Sequence, residues 1–150
     1  MLLRTHLVFS IFLYFLLFDF VSSHFMFMVF LLFGTMFVDI DSRKSRIGRK
    51  WFLRPLQWFF SHRGMFHTLI FGIVLSGLIY FFNKIAGIGF GLGYLSHLFL
   101  DMLTVQGVAL FRPFVKKKMG FGIRSGGLIE EIIFVLLLLA DVYLFFRVVF

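Results

Sequence analysis

The sequence predicts an all-α, polytopic membrane protein of about five transmembrane helices, with a metal site on the cytoplasmic side. Three observations predict it. Apolar residues fill 61% of the 150 positions, 26 of them phenylalanine, and mean hydropathy is +1.00. A soluble core of this length cannot hide so much apolar surface, so lipid must be the solvent for most of it. The apolar residues fall into five segments, at 7–21, 25–38, 65–82, 85–103 and 128–146, and Lys and Arg crowd the loops on one side of them. The length fits a single membrane-embedded domain over 1–150.

A span needs about 20 apolar residues, with about 17 as the usual lower limit, so the second segment is short. The first is interrupted late by Asp19, and the pair reads as a tight helical hairpin turning at Ser22-Ser23-His24. Such a hairpin either crosses a thin membrane or is partly re-entrant. Arg4, the apolar run and Val21-Ser22-Ser23 also resemble a secretory signal peptide, but Asp19 sits badly inside one. The third segment carries Gly72 and Gly77, and the fourth opens on Gly87, Gly89, Gly91 and Gly93. Small residues at these spacings suit close helix packing, or else a weakly helical start. Glu130 and Glu131 open the fifth.

Of the 15 Lys and Arg, all but Lys84 and Arg147 precede the first span or lie in the loops at 39–63 and 104–127. The positive-inside rule puts those loops and the N-terminus in the cytoplasm and the C-terminus outside the cell membrane. The net charge of +8 therefore reports topology. No nucleic-acid partner is expected, because the aromatic residues lie in the spans rather than beside the cations. Lys116, Lys117, Lys118 and the Arg112-Pro113 turn suit contact with anionic lipid, or orientation alone. The absence of cysteine excludes disulfides and thiolate-bound metal. The run GIGFGLGYL lacks the preceding strand of a phosphate-binding loop and reads as helix packing.

Ionisable residues inside apolar segments are expensive and mark function by default. The stretch 93–104, GYLSHLFLDMLT, places His97 and Asp101 four residues apart, on one helix face. On the five-span topology His6, His62, His67 and His97 share one depth with Asp39, Asp41, Asp101, Glu130 and Glu131. The exceptions are His24, Asp19 and Asp141. Each residue alone has an ordinary explanation in packing or in a solvated loop, but independent accidents would not share one layer. Imidazole and carboxylate without thiolate form the ligand set of zinc or another divalent hydrolytic metal, manganese included. The candidates outnumber the ligands of one ion, so the site holds two ions or keeps some residues as partners or general base. Arg63, beside His62, is placed to hold a phosphate or merely to anchor the loop.

These same residues carry a family resemblance. The runs FVDIDSRKSRIGR, SHRGMFHT and GYLSHLFLDMLTVQGVALFRPF resemble the YdjM-type family, regulated by LexA in some bacteria. The pattern has a Thr-His (Thr5-His6), an Asp-x-Asp (Asp39, Asp41) and a His-Arg-Gly-x-x-His (His62, Arg63, Gly64, His67). It continues through Gly93 to Val108 with His97, Asp101 and Thr104, and ends on Glu130 or Glu131. Val38 stands where proline is usual before the first aspartate. The resemblance covers essentially the whole chain and implies a membrane-bound metal-dependent hydrolase, phospholipase-like in substrate.

The reading that follows is hydrolysis of a phospholipid or another amphiphilic phosphoester at the cytoplasmic membrane surface. His6, Asp39, Asp41, His67, His97 and Asp101 would hold the metal, and His62 or Glu131 would be ligand or base. A metal-free lipid phosphatase fits less well, since Gly91 and Ile47 occupy positions where that class expects arginine and lysine. The non-enzymatic alternative is a small ion-transport or metal-binding membrane protein, for which Asp141 would be the residue at mid-membrane depth.

Overall fold

A computed structural model describes residues 1–41, 65–115 and 117–150. His62, Arg63 and the whole basic loop between them and Asp41 lie outside the described residues, as does Lys116. The described residues form five α-helices and no strands. They are α1 (Leu3–Leu16), α2 (His24–Phe37), α3 (Leu69–Phe82), α4 (Lys84–Met102) and α5 (Leu128–Val149).

All five expected segments contain a helix, but the helices differ in length. Two helices, α4 with 19 residues and α5 with 22, are long and apolar enough to cross a membrane. The other three have 14 residues each. At 1.5 Å per residue they rise about 21 Å, against about 30 Å of hydrocarbon. The apolar runs overestimate them because apolar residues also fill the turns. Phe18–Phe20 is a 3₁₀ turn closing α1, and Met65–His67 is another ahead of α3. The first helix also starts earlier than its apolar run, at Leu3, which puts Thr5 and His6 inside it.

Helix α4 is the centre of the packing, lying against α2 most extensively, then α3, then α1, while α5 docks on α1. Its glycines are helical, and the helix begins where the Asn83 side chain accepts from Ala86 N–H at 3.0 Å. They bring backbones into contact. A Cβ on Gly93 would lie 1.9 Å from the Leu31 carbonyl oxygen, and one on Gly34 would lie 2.2 Å from that of Phe90. This crossing of α2 over α4 buries Phe90, Tyr94, Leu98 and Val38 in one cluster. The Tyr94 hydroxyl donates to the Thr68 carbonyl at 3.0 Å, fastening α4 to the start of α3.

The 104–127 connection is folded rather than loose. Thr104 bridges Ile123 and Val108 bridges Met119. Phe121 and Ile123 N–H donate back to the last carbonyls of the α4 end, at Met102 and Leu103, and Leu69 N–H donates to Leu110 O. The segment thus caps the end of α4 that carries Asp101.

Overpacking a tight crossing costs about 1–3 kcal/mol or more. Gly93→Ala is expected to lower thermal stability in detergent by that amount. Gly77→Ala, where an added Cβ meets nothing within 4 Å, should be neutral or slightly stabilising. Equal melting of the two variants would count against the close crossing.

Candidate metal centre

The site begins with the end of α2. The last four carbonyls of a helix have no partner within it, and Thr35 O is one of these. His97 of α4 meets it, with Nδ1 at 2.7 Å. A carbonyl can only accept, so Nδ1 carries the proton and Nε2 holds the lone pair. That Nε2 is buried with no hydrogen-bond partner among the described residues. It lies 3.8 Å from Asp101 Oδ2 and 3.9 Å from Asp39 Oδ1.

Two further imidazoles converge on this nitrogen. His6 of α1 stacks on the His97 ring with centroids 3.9 Å apart and planes 12° from parallel. Its Nε2 is 3.3 Å from Asp101 Oδ1, yet neither ring nitrogen has a hydrogen bond among the described residues. His67, in the 3₁₀ turn before α3, approaches the His97 ring at 6.0 Å and nearly at right angles. His6, His67, His97 and Asp101 are all buried, and Asp39 is partly so. Donor atoms of His6, His97 and Asp101 all lie within 4.8 Å of one another, and so do those of Asp39, His67 and His97.

The two groups overlap in His97, which has a single nitrogen to give. One imidazole lone pair binds one ion. Either both groups close on one ion, or two ions sit side by side and His97 serves one of them. The residues fit a divalent metal on chemical grounds. Buried imidazole nitrogens without a hydrogen bond cost about 1–3 kcal/mol each. A cation on their lone pairs would relieve that cost. The proton on the far nitrogen of His97, directed at a carbonyl, is the usual support of a metal-binding histidine.

Supporting contacts hold the candidate ligands in place. Asp101 Oδ1 also accepts from the Met1 nitrogen at 2.6 Å, and the Thr104 hydroxyl donates to Asp101 O at 2.7 Å. Ser10 and Thr35 share a hydroxyl contact of 2.7 Å, and Ser10 donates to His6 O at 2.9 Å, tying α1 to α2 beside the histidines. Glu130 is buried at the start of α5. Its Oε1 accepts from Leu2 N–H at 2.6 Å and the Thr5 hydroxyl at 2.8 Å, and its Oε2 accepts from Gly126 N–H at 2.6 Å.

The structure therefore brings His6, Asp39, His67, His97 and Asp101 together. Glu131 belongs to neither group: its half-exposed carboxylate pairs with Arg4 at the surface. Of the two neighbouring glutamates it is Glu130 that turns inward, where it holds the first turn of α1. The backbone of Asp41 ends the 3₁₀ turn Val38–Asp41, while His62 and Arg63 fall outside the described residues. Sequence reasoning missed Thr35, Ser10 and the Glu130 clamp. Thr35 and Ser10 were visible as hydroxyls inside apolar runs, and Thr5 as the neighbour of a candidate ligand. His24 stacks on Phe18 at 4.0 Å, away from this cluster.

Similar proteins agree with this reading of the chain as a membrane protein. The inner membrane protein YdjM of Escherichia coli is 40% identical over 84 residues, which is 50% of this chain and 43% of that protein. The Shigella flexneri protein of the same name matches to the same extent, so the aligned stretch spans less than half the length of either. The Bacillus subtilis protein YvsG is 30% identical over 118 residues, 75% of this chain and 74% of its own. No solved structure matches. The family described as YdjM inner membrane protein matches residues 1–149. The chain belongs to the YdjM family of inner membrane proteins.

Proposed function

We propose that this protein is a metal-dependent hydrolase of the inner membrane, acting on a phospholipid or another amphiphilic phosphoester from the cytoplasmic side. The observation that carries the reading is the pair of overlapping His/Asp groups, in which the His6 ring nitrogens and His97 Nε2 are buried with no hydrogen bond among the described residues. The excess of Lys and Arg in the loops at this end of the helices supports the orientation. On that orientation α4 and α5 cross the bilayer, and α1 to α3 cross it where it thins around them.

His6, Asp39, His67, His97 and Asp101, with Asp41, would hold zinc or manganese, as one ion or two. Bound there, the metal supplies a Lewis acid and brings the pKa of a water at the site to about 7. The protein's own groups do the rest. Thr35 O fixes the His97 tautomer so that Nε2 faces inward. Glu130 seats the first turn of α1 and so the position of His6. With Glu131 engaged by Arg4, we assign the base to His62 and the phosphate contact to Arg63, five and four residues before the His67 ligand. The substrate class follows from depth: a site at the ends of membrane helices meets headgroup esters. An open apolar groove along α5, lined by Leu128, Ile132, Val135 and Leu136 beside Glu131, suits an acyl chain.

A second reading has one observation in its favour. Asp141, midway along α5, is buried, and its Oδ1 has no hydrogen-bond partner among the described residues. In an ion-transport protein that carboxylate would lie on the pathway. Ion flux into proteoliposomes, lost on Asp141→Asn, would favour transport over hydrolysis.

Elemental mass spectrometry of purified protein is expected to find one or two divalent ions per chain, absent from the His97→Ala/Asp101→Ala variant. A wild type without metal even after reloading would end the hydrolase reading. His62→Ala should keep its metal while losing about 100- to 10,000-fold in phosphoester hydrolysis, the usual weight of a general base. Glu130→Ala, which touches no proposed ligand directly, should weaken metal affinity by less than the roughly 10- to 100-fold typical of removing a group bonded to a ligand. Unchanged affinity would reduce Glu130 to a helix-packing residue.

A further inference from the structure

We propose that the folded 104–127 segment is a docking surface for anionic phospholipid in the leaflet at the metal-centre end of the helices. Between 104 and 127 the sequence has five Lys and Arg and no Asp or Glu. Lys117, Lys118 and Arg124 are exposed. Contrary to the expectation that the aromatic residues lie in the spans, Phe114 is 83% exposed beside these cations, Phe121 69% and Phe111 48%. These phenylalanines are not loose ends of a flexible loop. Val108 and Met119 exchange both backbone hydrogen bonds at 2.9–3.0 Å, Val105 N–H donates to Ile123 O at 3.0 Å, and Phe121 N–H donates to Met102 O at 3.1 Å. Gly107 takes φ +58, which a side chain would resist, and Gly120 lies where a Cβ would come within 2.7 Å of Thr104 O. The backbone is built to hold apolar rings and cations outward together.

That combination selects its partner. An acidic protein surface would satisfy the cations and leave three phenylalanines facing water. A bilayer interface takes both, with rings at the acyl boundary and cations at the phosphates. Each Lys or Arg near an anionic leaflet adds to the attraction, and the absence of any acid in the segment leaves that attraction unopposed. The placement agrees, because the segment is hydrogen-bonded to the end of α4 and to the start of α3, where headgroups would lie around an inner membrane protein. The inference is independent of hydrolysis. It requires only that the chain sit in a bilayer.

The chain has no cysteine, so a single engineered thiol reports one position. Phe114→Cys, labelled with an environment-sensitive dye, is expected to show blue-shifted emission in vesicles containing phosphatidylglycerol. The shift should be smaller in pure phosphatidylcholine. Adding Lys117→Gln, Lys118→Gln and Arg124→Gln should weaken the preference for phosphatidylglycerol by about fivefold per charge removed. Leu139→Cys on the outer face of α5 serves as the insertion control and should be blue-shifted in every vesicle. Native mass spectrometry of the unlabelled wild type should retain phosphatidylglycerol over phosphatidylcholine, and the charge variant should not. A label at 114 that remains aqueous while the α5 label is buried overturns the proposal. So does equal retention of the two lipids by the wild type.

Discussion

The hydrogen bond from His97 to the Thr35 carbonyl is the contact on which the centre depends. It exists because two backbones cross closely. Gly93 and Gly34 remove the side chains that would hold α4 and α2 apart, and the crossing delivers an unpaired carbonyl at the end of α2 to an imidazole on α4. The bond then decides which nitrogen of His97 faces Asp39, Asp101 and His6. A helix pair one side chain further apart would leave that ring free to rotate, and the lone pair would have no fixed direction. Packing and chemistry are here the same constraint.

A second consequence of the crossing is the polar seam inside an apolar bundle. Ser10, Thr35 and the carbonyls of His6 and Gly93 satisfy one another at 2.7–3.2 Å. In hydrocarbon each of these groups alone would be costly, but together they link α1, α2 and α4 without charge. The seam runs directly beside the stacked rings of His6 and His97. It gives those rings a rigid wall. Around it the outer surfaces of α3 and α5 remain apolar, as lipid requires.

Much of this was legible in the sequence. The i, i+4 spacing of His97 and Asp101 put both on one face, and the common depth of His6, Asp39 and His67 anticipated their meeting. Helix ends were not legible, because Leu17–Val21 and Met65–Thr68 are as apolar or as ordinary as the helices they border. Only hydrogen bonding divides them, and that is why five spans were expected where two helices have the length. Nor could the sequence choose between Glu130 and Glu131. Neighbours on a helix point about 100° apart, and which one turns inward depends on where α1 lies. The Thr35 carbonyl is a backbone atom, invisible to any reading of side chains.

The Glu130 clamp ties the beginning of the chain to its end. Leu2 and Thr5 are held by a residue 128 and 125 positions further on. During synthesis α1 enters the membrane early, but the carboxylate that fixes its first turn is made only when the last helix begins. For that interval Leu2 N–H and the Thr5 hydroxyl lack the acceptor that they have in the finished fold. The first turn of α1 therefore takes its final hydrogen bonds only once the last helix has begun. The last helix, almost wholly lipid-facing along its length, completes the surroundings of His6 from its first turn.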